Sequence, residues 1–378
     1  MKTPFFLAPM AEISHRAFRE LIEDFGGCDA YFSEMISAAA LFAGGPFEKW
    51  YIDTFPCPEK LVFQLVGSDP LIISKAASHL DKLECAGIDI NMGCSAPLIR
   101  KTGAGAAWMA SIDRTRELIS CVRLQVKRRL SVKLRIGFNE DFEYLVKFCR
   151  CLEEEGVDLI TLHPRTVTEK FKRLARWDYV GKLRTELKIP VAGNGDITSA
   201  EELVCRANGL CDAVMVGRGA VRQPWIFAHA RRQLTENSEQ LTVSSEKLEV
   251  SNENNINPAE QKLDKSFLCP PAGAVRTSEK PFLEFPAGET SQMARKQIPP
   301  KVFTESAQFP LEAIGLRFIE LLAKHQPPEF YISRARRFFG FFCDNLKWGT
   351  FLKNQLNREE TLTSIEKVWK KYFRENES

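Results

Sequence analysis

No stretch of this chain approaches the ~20 consecutive apolar residues of a membrane-spanning helix. The N-terminus has one lysine and a short apolar run, Phe5 to Ala8, that Pro9 cuts off, so the signal-peptide pattern is missing too. Cysteine is present eleven times, yet never as a Cys-x-x-Cys pair and never with histidine at zinc-finger spacing. The expectation is therefore reduced thiols in a cytoplasmic protein, not a disulfide framework. Charge of one sign is lacking as well: a net +3 does not by itself call for a polyanionic partner.

What is present is a repeat. From Pro4 to about Arg232, short β-branched or aromatic runs alternate with segments of helical period. The strand-like runs are Phe5–Met10, Tyr31–Met35, Leu61–Gly67, Gly87–Met92, Ser131–Ile136, Asp158–His163, Ile189–Gly193 and Ala213–Gly217. Helices are expected over Ser14–Phe25, Asp69–Glu84, Ser111–Arg129, Asn139–Glu155, Arg176–Leu187, Ser199–Asn208 and Gln223–Gln233, with Ser14, Asp69, Asn139 and Ser199 as N-caps. Near-continuous apolar strands alternating with helices describe a parallel sheet covered by helices. Eight units in this length predict a (β/α)8 TIM barrel of the α/β class. An open doubly wound sheet is the alternative, though it normally uses fewer strands.

Residues 1–233 are thus assigned to the barrel. Residues 234–308 turn to Ser, Asn, Glu, Lys and Pro, a composition that cannot bury enough surface to fold alone and reads as a disordered linker or insertion, a loop ordered against the barrel being the alternative. Helical periodicity returns in residues 309–378, predicting a small all-helical domain with segments at Leu311–His325, Ile332–Leu346 and Thr363–Phe373. The second segment carries Arg334, Arg336 and Arg337, and the third Lys367, Lys370 and Lys371. Such clusters are usually a solvated face, but beside a catalytic barrel they can also hold a nucleic-acid backbone.

Polar residues and glycines gather just past the strand ends, the face on which barrels build active sites. Cys94 opens the loop after strand 4, one residue beyond Gly93. It is placed to donate a proton as a thiol, or to act as a nucleophile if something lowers its pKa; a small buried apolar role is the bland alternative. Lys133 stands on strand 5 with few carboxylates about it, which disfavours metal catalysis and paired-carboxylate hydrolysis. Asn194-Gly195-Asp196 and Gly217-Arg218-Gly219 follow strands 7 and 8, where barrels commonly grip phosphate through exposed backbone N–H groups. A phosphorylated organic cofactor fits this set.

These marks, in order, resemble the tRNA-dihydrouridine synthases: Ala8-Pro9-Met10, Gln64-Leu65-Val66-Gly67, Asn91-Met92-Gly93-Cys94, Lys133-Leu134-Arg135-Ile136-Gly137, His163-Pro164-Arg165-Thr166, Asn194-Gly195-Asp196-Ile197 and Gly217-Arg218-Gly219-Ala220. The resemblance implies an FMN-binding barrel, a helical RNA-binding domain, NADPH as reductant and a tRNA uridine as substrate, with Cys94 protonating uracil C5. It implies that Pro9, Met10 and Ala11 line the flavin. Gln64 and Lys133 would touch its ring beside His163, and Asn194, Gly195, Asp196, Gly217 and Arg218 would hold its phosphate end. Asn91, Arg135 and Arg165 fall on the substrate side, and Arg334, Arg336 and Arg337 on the tRNA. The protein is expected to act as a monomer, away from membranes. Ser95 stands where the family usually has proline, which predicts a Cys94 loop that is more mobile or differently set. The rival readings are an FMN-dependent barrel oxidoreductase acting on a small metabolite, and a non-catalytic RNA-binding relative.

Overall fold

A computed structural model describes residues 3–237 and 310–376 of the chain. Eight strands alternate with helices: β1 Phe5–Leu7, α1 Arg16–Asp24, β2 Ala30–Ser37, α2 Glu48–Tyr51, β3 Leu61–Val66, α3 Pro70–Leu80, β4 Gly87–Met92, α4 Pro97–Lys101, α5 Ile112–Gln125, β5 Arg129–Arg135, α6 Phe142–Glu154, β6 Leu159–His163, α7 Trp177–Glu186, β7 Val191–Asn194, α8 Ala200–Ala207, β8 Ala213–Val216 and α9 Arg218–Arg222. All neighbouring strands are parallel, and β8 pairs with β1, so the sheet closes into the predicted barrel. Side-chain alternation splits the apolar set in two. One core lies between strands and helices; a smaller one, with Phe6, Phe32, Val62, Leu159 and Met215, fills the lumen.

Asp69 and Ser199 cap their helices as expected, accepting from Leu71 and Ile72 and from Glu202. Two other expected caps shift. Asp141, not Asn139, caps α6 through the Tyr144 N–H. Ser14 lies ahead of α1 and instead closes the loop after β1, its hydroxyl accepting from Met10 N and donating to Met10 O. Helix α10 occupies 226–237, so residues 234–237 extend a helix rather than begin a linker; the remainder of the expected 234–308 segment lies outside the described residues.

After it come α11 Leu311–His325, α12 Pro328–Phe342, α13 Gly349–Leu356 and α14 Leu362–Asn376. The sequence pattern missed α13 altogether, because its eight residues are too few for a periodic signal. These helices do not make a core of their own. Phe318 of α11 stacks on Phe338 of α12 at 3.8 Å and meets Phe18 of α1 at 6.5 Å, and one contiguous apolar cluster runs from barrel to tail. Trp369 of α14 lies so close to α11 that a Cβ on Gly315 would fall 2.4 Å from its ring, so only glycine fits there.

Charge crosses the same seam. The wholly buried Asp24 accepts from Arg317 at 2.8 Å, Glu20 lies 2.8 Å from the His325 ring, and Arg222 pairs with Asp344 at 2.7 Å. Burial raises the Asp24 carboxyl above its ordinary value even though Arg317 opposes the shift. A carboxylate taken out of water needs such a partner, so the helices and the barrel are locked against one another.

Candidate active site at the barrel mouth

The upper lumen is polar, and its side chains bond to one another. Ser131 on β5 donates to Asp89 at 2.6 Å, Gln64 donates to the other Asp89 oxygen at 2.7 Å, and Asn91 donates to the Gln64 carbonyl at 2.8 Å. Asn91 then accepts from the N–H groups of Gly93 and Cys94, at 3.1 and 2.9 Å. A continuous chain therefore runs from the barrel wall to the backbone of Cys94. Burial raises the Asp89 carboxyl to about 6, with the bonds from Ser131 and Gln64 working in the opposite direction. Asp89 and Ser131 were not singled out from sequence; an acid inside the apolar run Ile88–Ile90 was the available signal.

Cys94 is a half-buried free thiol. Its carbonyl accepts from Ala106 at 3.0 Å, and Gly105, at φ +60°, lies so close that an added Cβ would sit 2.9 Å from that oxygen. The backbone N–H and carbonyl of Cys94 are thus both engaged. Pro97, two residues after Ser95, starts the short helix α4.

Across the lumen, Lys133 donates to Asn194 at 2.9 Å, reaching past β6, while the Asn194 amide donates to Met215 O. Burial and the nearby Arg135 push the Lys133 ammonium down to about 8. His163 is held well below its ordinary value by burial and by Lys133, Arg135, Arg165 and Arg218, so its ring is neutral at physiological pH. Arg165 lies 3.0 Å from Nε2. Arginine can only donate, so Nε2 accepts and the ring proton resides on Nδ1. Between Lys133 and Ala192 in register, the buried Thr161 hydroxyl has no partner among the described residues, which leaves an unmet polar atom in the lumen.

Not every expected contact residue faces that space. Arg165 is buried and grips both oxygens of Asp196 at 2.6 Å, and Asp196 also accepts from Ala175 N. A carboxylate so engaged orders the loop after β7. Arg135 is likewise spent on the backbone oxygens of Gly93, Thr166 and Lys170. Gly195, at φ +129°, lets the chain pass His163, and Gly217 lies where an added Cβ would be 3.6 Å from Met10 Sδ, so the ends of β1 and β8 meet. Arg218 is exposed, its guanidinium 4.3 Å from the centroid of the exposed Phe171 ring. Phe171, on the loop after β6, was missed because a lone aromatic in a loop carries no pattern. Pro9 and Met10 are part-buried and Ala11 is exposed at the rim.

The tail arginines require the clearest correction. Arg334 is 1% exposed and donates to Glu34 at 2.9 Å, and Arg336 donates to Glu359 O. Only Arg337 keeps much exposure, and it pairs with Glu12 at 3.1 Å. The three do not form one basic face for RNA. Their spacing on α12 turns Arg334 toward the barrel, where the Glu34 carboxylate needs a cation.

A closed parallel barrel with its polar side chains converging at the strand C-termini is the architecture of a TIM-barrel enzyme. The model of the dihydrouridine synthase (Dus) family matches residues 6–267, and the chain belongs to that family of flavin-dependent tRNA-dihydrouridine synthases. It is similar to a tRNA-dihydrouridine(16) synthase of Ralstonia nicotianae, at 29% identity over 60% of this chain and 72% of the relative. It is similar also to tRNA-dihydrouridine synthase B of Pasteurella multocida, at 31% over 60% of this chain and 68% of the relative. A tRNA-dihydrouridine(47) synthase [NAD(P)(+)]-like protein of mouse is 31% identical over 60% of this chain but only 36% of its own length. Relatives named for different uridines match equally well, so identity does not choose a target. Among the described residues no helix is long and apolar enough to cross a membrane.

The lumen fits a flavin. It offers a cation at Lys133, an amide at Gln64, the orphaned Thr161 hydroxyl and glycines where β7 and β8 end.

Proposed function

We propose that this chain reduces the C5–C6 double bond of a uridine in tRNA, with FMN as its flavin and NADPH as the source of electrons. The observation that carries this is Cys94, pinned through Asn91 and Ala106 at the rim of a lumen lined by Gln64, Lys133 and Asn194. When bound, the flavin supplies the hydride that no side chain can provide.

The chain's own residues do the rest. Gln64 and Lys133 orient the ring, Lys133 offering positive charge where negative charge develops. Gly195, Gly217 and Arg218 hold the phosphate end, Arg218 by a charge-assisted contact. Cys94 Sγ carries the proton for uracil C5, and Asn91 fixes where that sulfur stands. Residues 1–233 form the catalytic part and residues 309–378 dock RNA. The target uridine must leave its stack to reach the lumen, which favours an exposed loop of folded RNA.

A visible absorption spectrum of the purified protein tests the first half: a flavin band should bleach on adding NADPH and return on adding tRNA that lacks dihydrouridine. Reoxidation by a free pyrimidine but not by tRNA would overturn the assignment of substrate.

A further inference from the structure

A second cavity lies outside the barrel, where the β2–β3 connection meets the turn between α11 and α12. It has a volume of about 760 Å³ and is lined by Arg16, Phe47, Lys49, Trp50, Lys324 and Gln326, among others. Its chemistry is unlike that of the lumen. Trp50 and Phe47 supply aromatic faces 6.0 Å apart, and Lys49 stands over the Trp50 ring at 4.1 Å. Lys49 is exposed and, among the described residues, has no carboxylate partner, which lets it neutralise an anion beside that ring. Arg16 is already matched by Asp53 at 3.2 Å and Lys324 lies 3.7 Å from Glu20, and Asp53 and Glu329 also line the cavity, so its available positive charge comes from Lys49.

Gln326 points to what the cavity takes. It is 5% exposed, and among the described residues neither its amide nitrogen nor its amide oxygen has a partner. A buried amide with both groups unmet costs stability, and an occupant that presents one acceptor and one donor side by side would meet both. Nucleobase edges present that pattern, and glutamine reads it through paired hydrogen bonds. Aromatic faces that stack a base, with a cation such as Lys49 for a neighbouring phosphate, are the other two parts of a single-stranded RNA site.

We infer that this cavity binds one unpaired nucleotide of the tRNA, distinct from the uridine at the barrel mouth, and so helps set how the RNA lies across the enzyme. The inference rests on tRNA being the substrate. It gives the seam between barrel and helices a recognition role that the inward-turned Arg334 does not fill.

The test uses full-length protein and an in vitro tRNA transcript, measuring binding by anisotropy and turnover by dihydrouridine formed. Gln326→Met should leave the melting temperature unchanged or higher, since it removes an unmet buried amide. The same variant should weaken transcript binding and raise KM about 5- to 100-fold, with kcat and flavin reduction by NADPH unchanged. Trp50→Ala should weaken binding similarly, whereas Trp50→Phe, which keeps a stacking face, should lose much less. Unchanged transcript affinity in both Gln326→Met and Trp50→Ala overturns the site. Loss of affinity together with a matching fall in melting temperature does so as well, because the role is then structural. If the wild type binds the transcript but forms no dihydrouridine, the proposed activity fails while the binding comparison still decides the cavity. A wild type that does not bind the transcript overturns both.

Discussion

The barrel mouth and the helical tail both display cations in sequence, and the structure uses them in opposite ways. At the mouth, Lys133 faces an open lumen and spends a bond on Asn194 alone. In the tail, Arg334 and Arg317 turn inward and are matched to buried carboxylates of the barrel. The first kind of cation is available to chemistry; the second holds two parts of the chain together. The difference comes from what lies opposite, since a buried carboxylate demands a partner, whereas a polar lumen awaits a ligand. The tail is also coupled to the site. Glu34, held by Arg334, accepts from the Glu12 N–H in the loop that carries Pro9, Met10 and Ala11.

The strongest way to break this comparison is to remove residues 310–378. Because Phe18 packs on Phe318 and Asp24 depends on Arg317, the truncated barrel should not purify as a folded monomer. Size exclusion with circular dichroism checks this, and a soluble, flavin-loaded barrel would show that the tail is an independent module. Next in size is Cys94→Ala, which should lower the tRNA step by roughly 10²–10⁴-fold while sparing flavin binding and its reduction by NADPH. Stopped-flow separation of the two half-reactions measures it; a wild-type rate of dihydrouridine formation would remove Cys94 as the proton donor.

Arg334→Met sharpens the contrast from the other side. Leaving Glu34 buried and unpaired should cost about 3–5 kcal/mol in chemical denaturation, without changing the salt dependence of tRNA binding. A reduced salt slope at normal stability would return Arg334 to the RNA face.

Asp89 offers a pH test of the lumen. Its carboxyl titrates near 6 in the folded chain and near 3.9 when unfolded, so the folded state binds the extra proton between those values. Stability should therefore fall by about 2–3 kcal/mol as pH rises from 4 to 6. Asp89→Asn, which can still bond to Ser131 and Gln64, should flatten that fall in urea titrations. The smallest effect concerns Lys133. With its ammonium titrating near 8, flavin reduction by NADPH should decline several-fold as pH passes upward through that value, and Lys133→Met should lose the inflection.

The barrel was legible because its signals are local. Strand runs such as Gly87–Met92 have their observed bounds, and the glycines and polar residues after them follow from what strand ends must do. Cys94 could be singled out for the same reason: it lies at a fixed offset from a strand. The relay Ser131–Asp89–Gln64–Asn91 could not, because it joins residues on three strands through the closed sheet. Arg334 was misread since helical period reports which residues share a face, not what that face meets.

The sequence by itself thus determined the eight-unit repeat, the family and the positions of the cysteine, lysine and glycine loops, all properties of short segments. Tertiary structure decided which cations are free, how the Cys94 peptide is pinned, and that Trp50 and Gln326, 276 positions apart, share one cavity. Those outcomes depend on burial and on partners distant in the chain, and such terms arise only when helices and barrel close on each other.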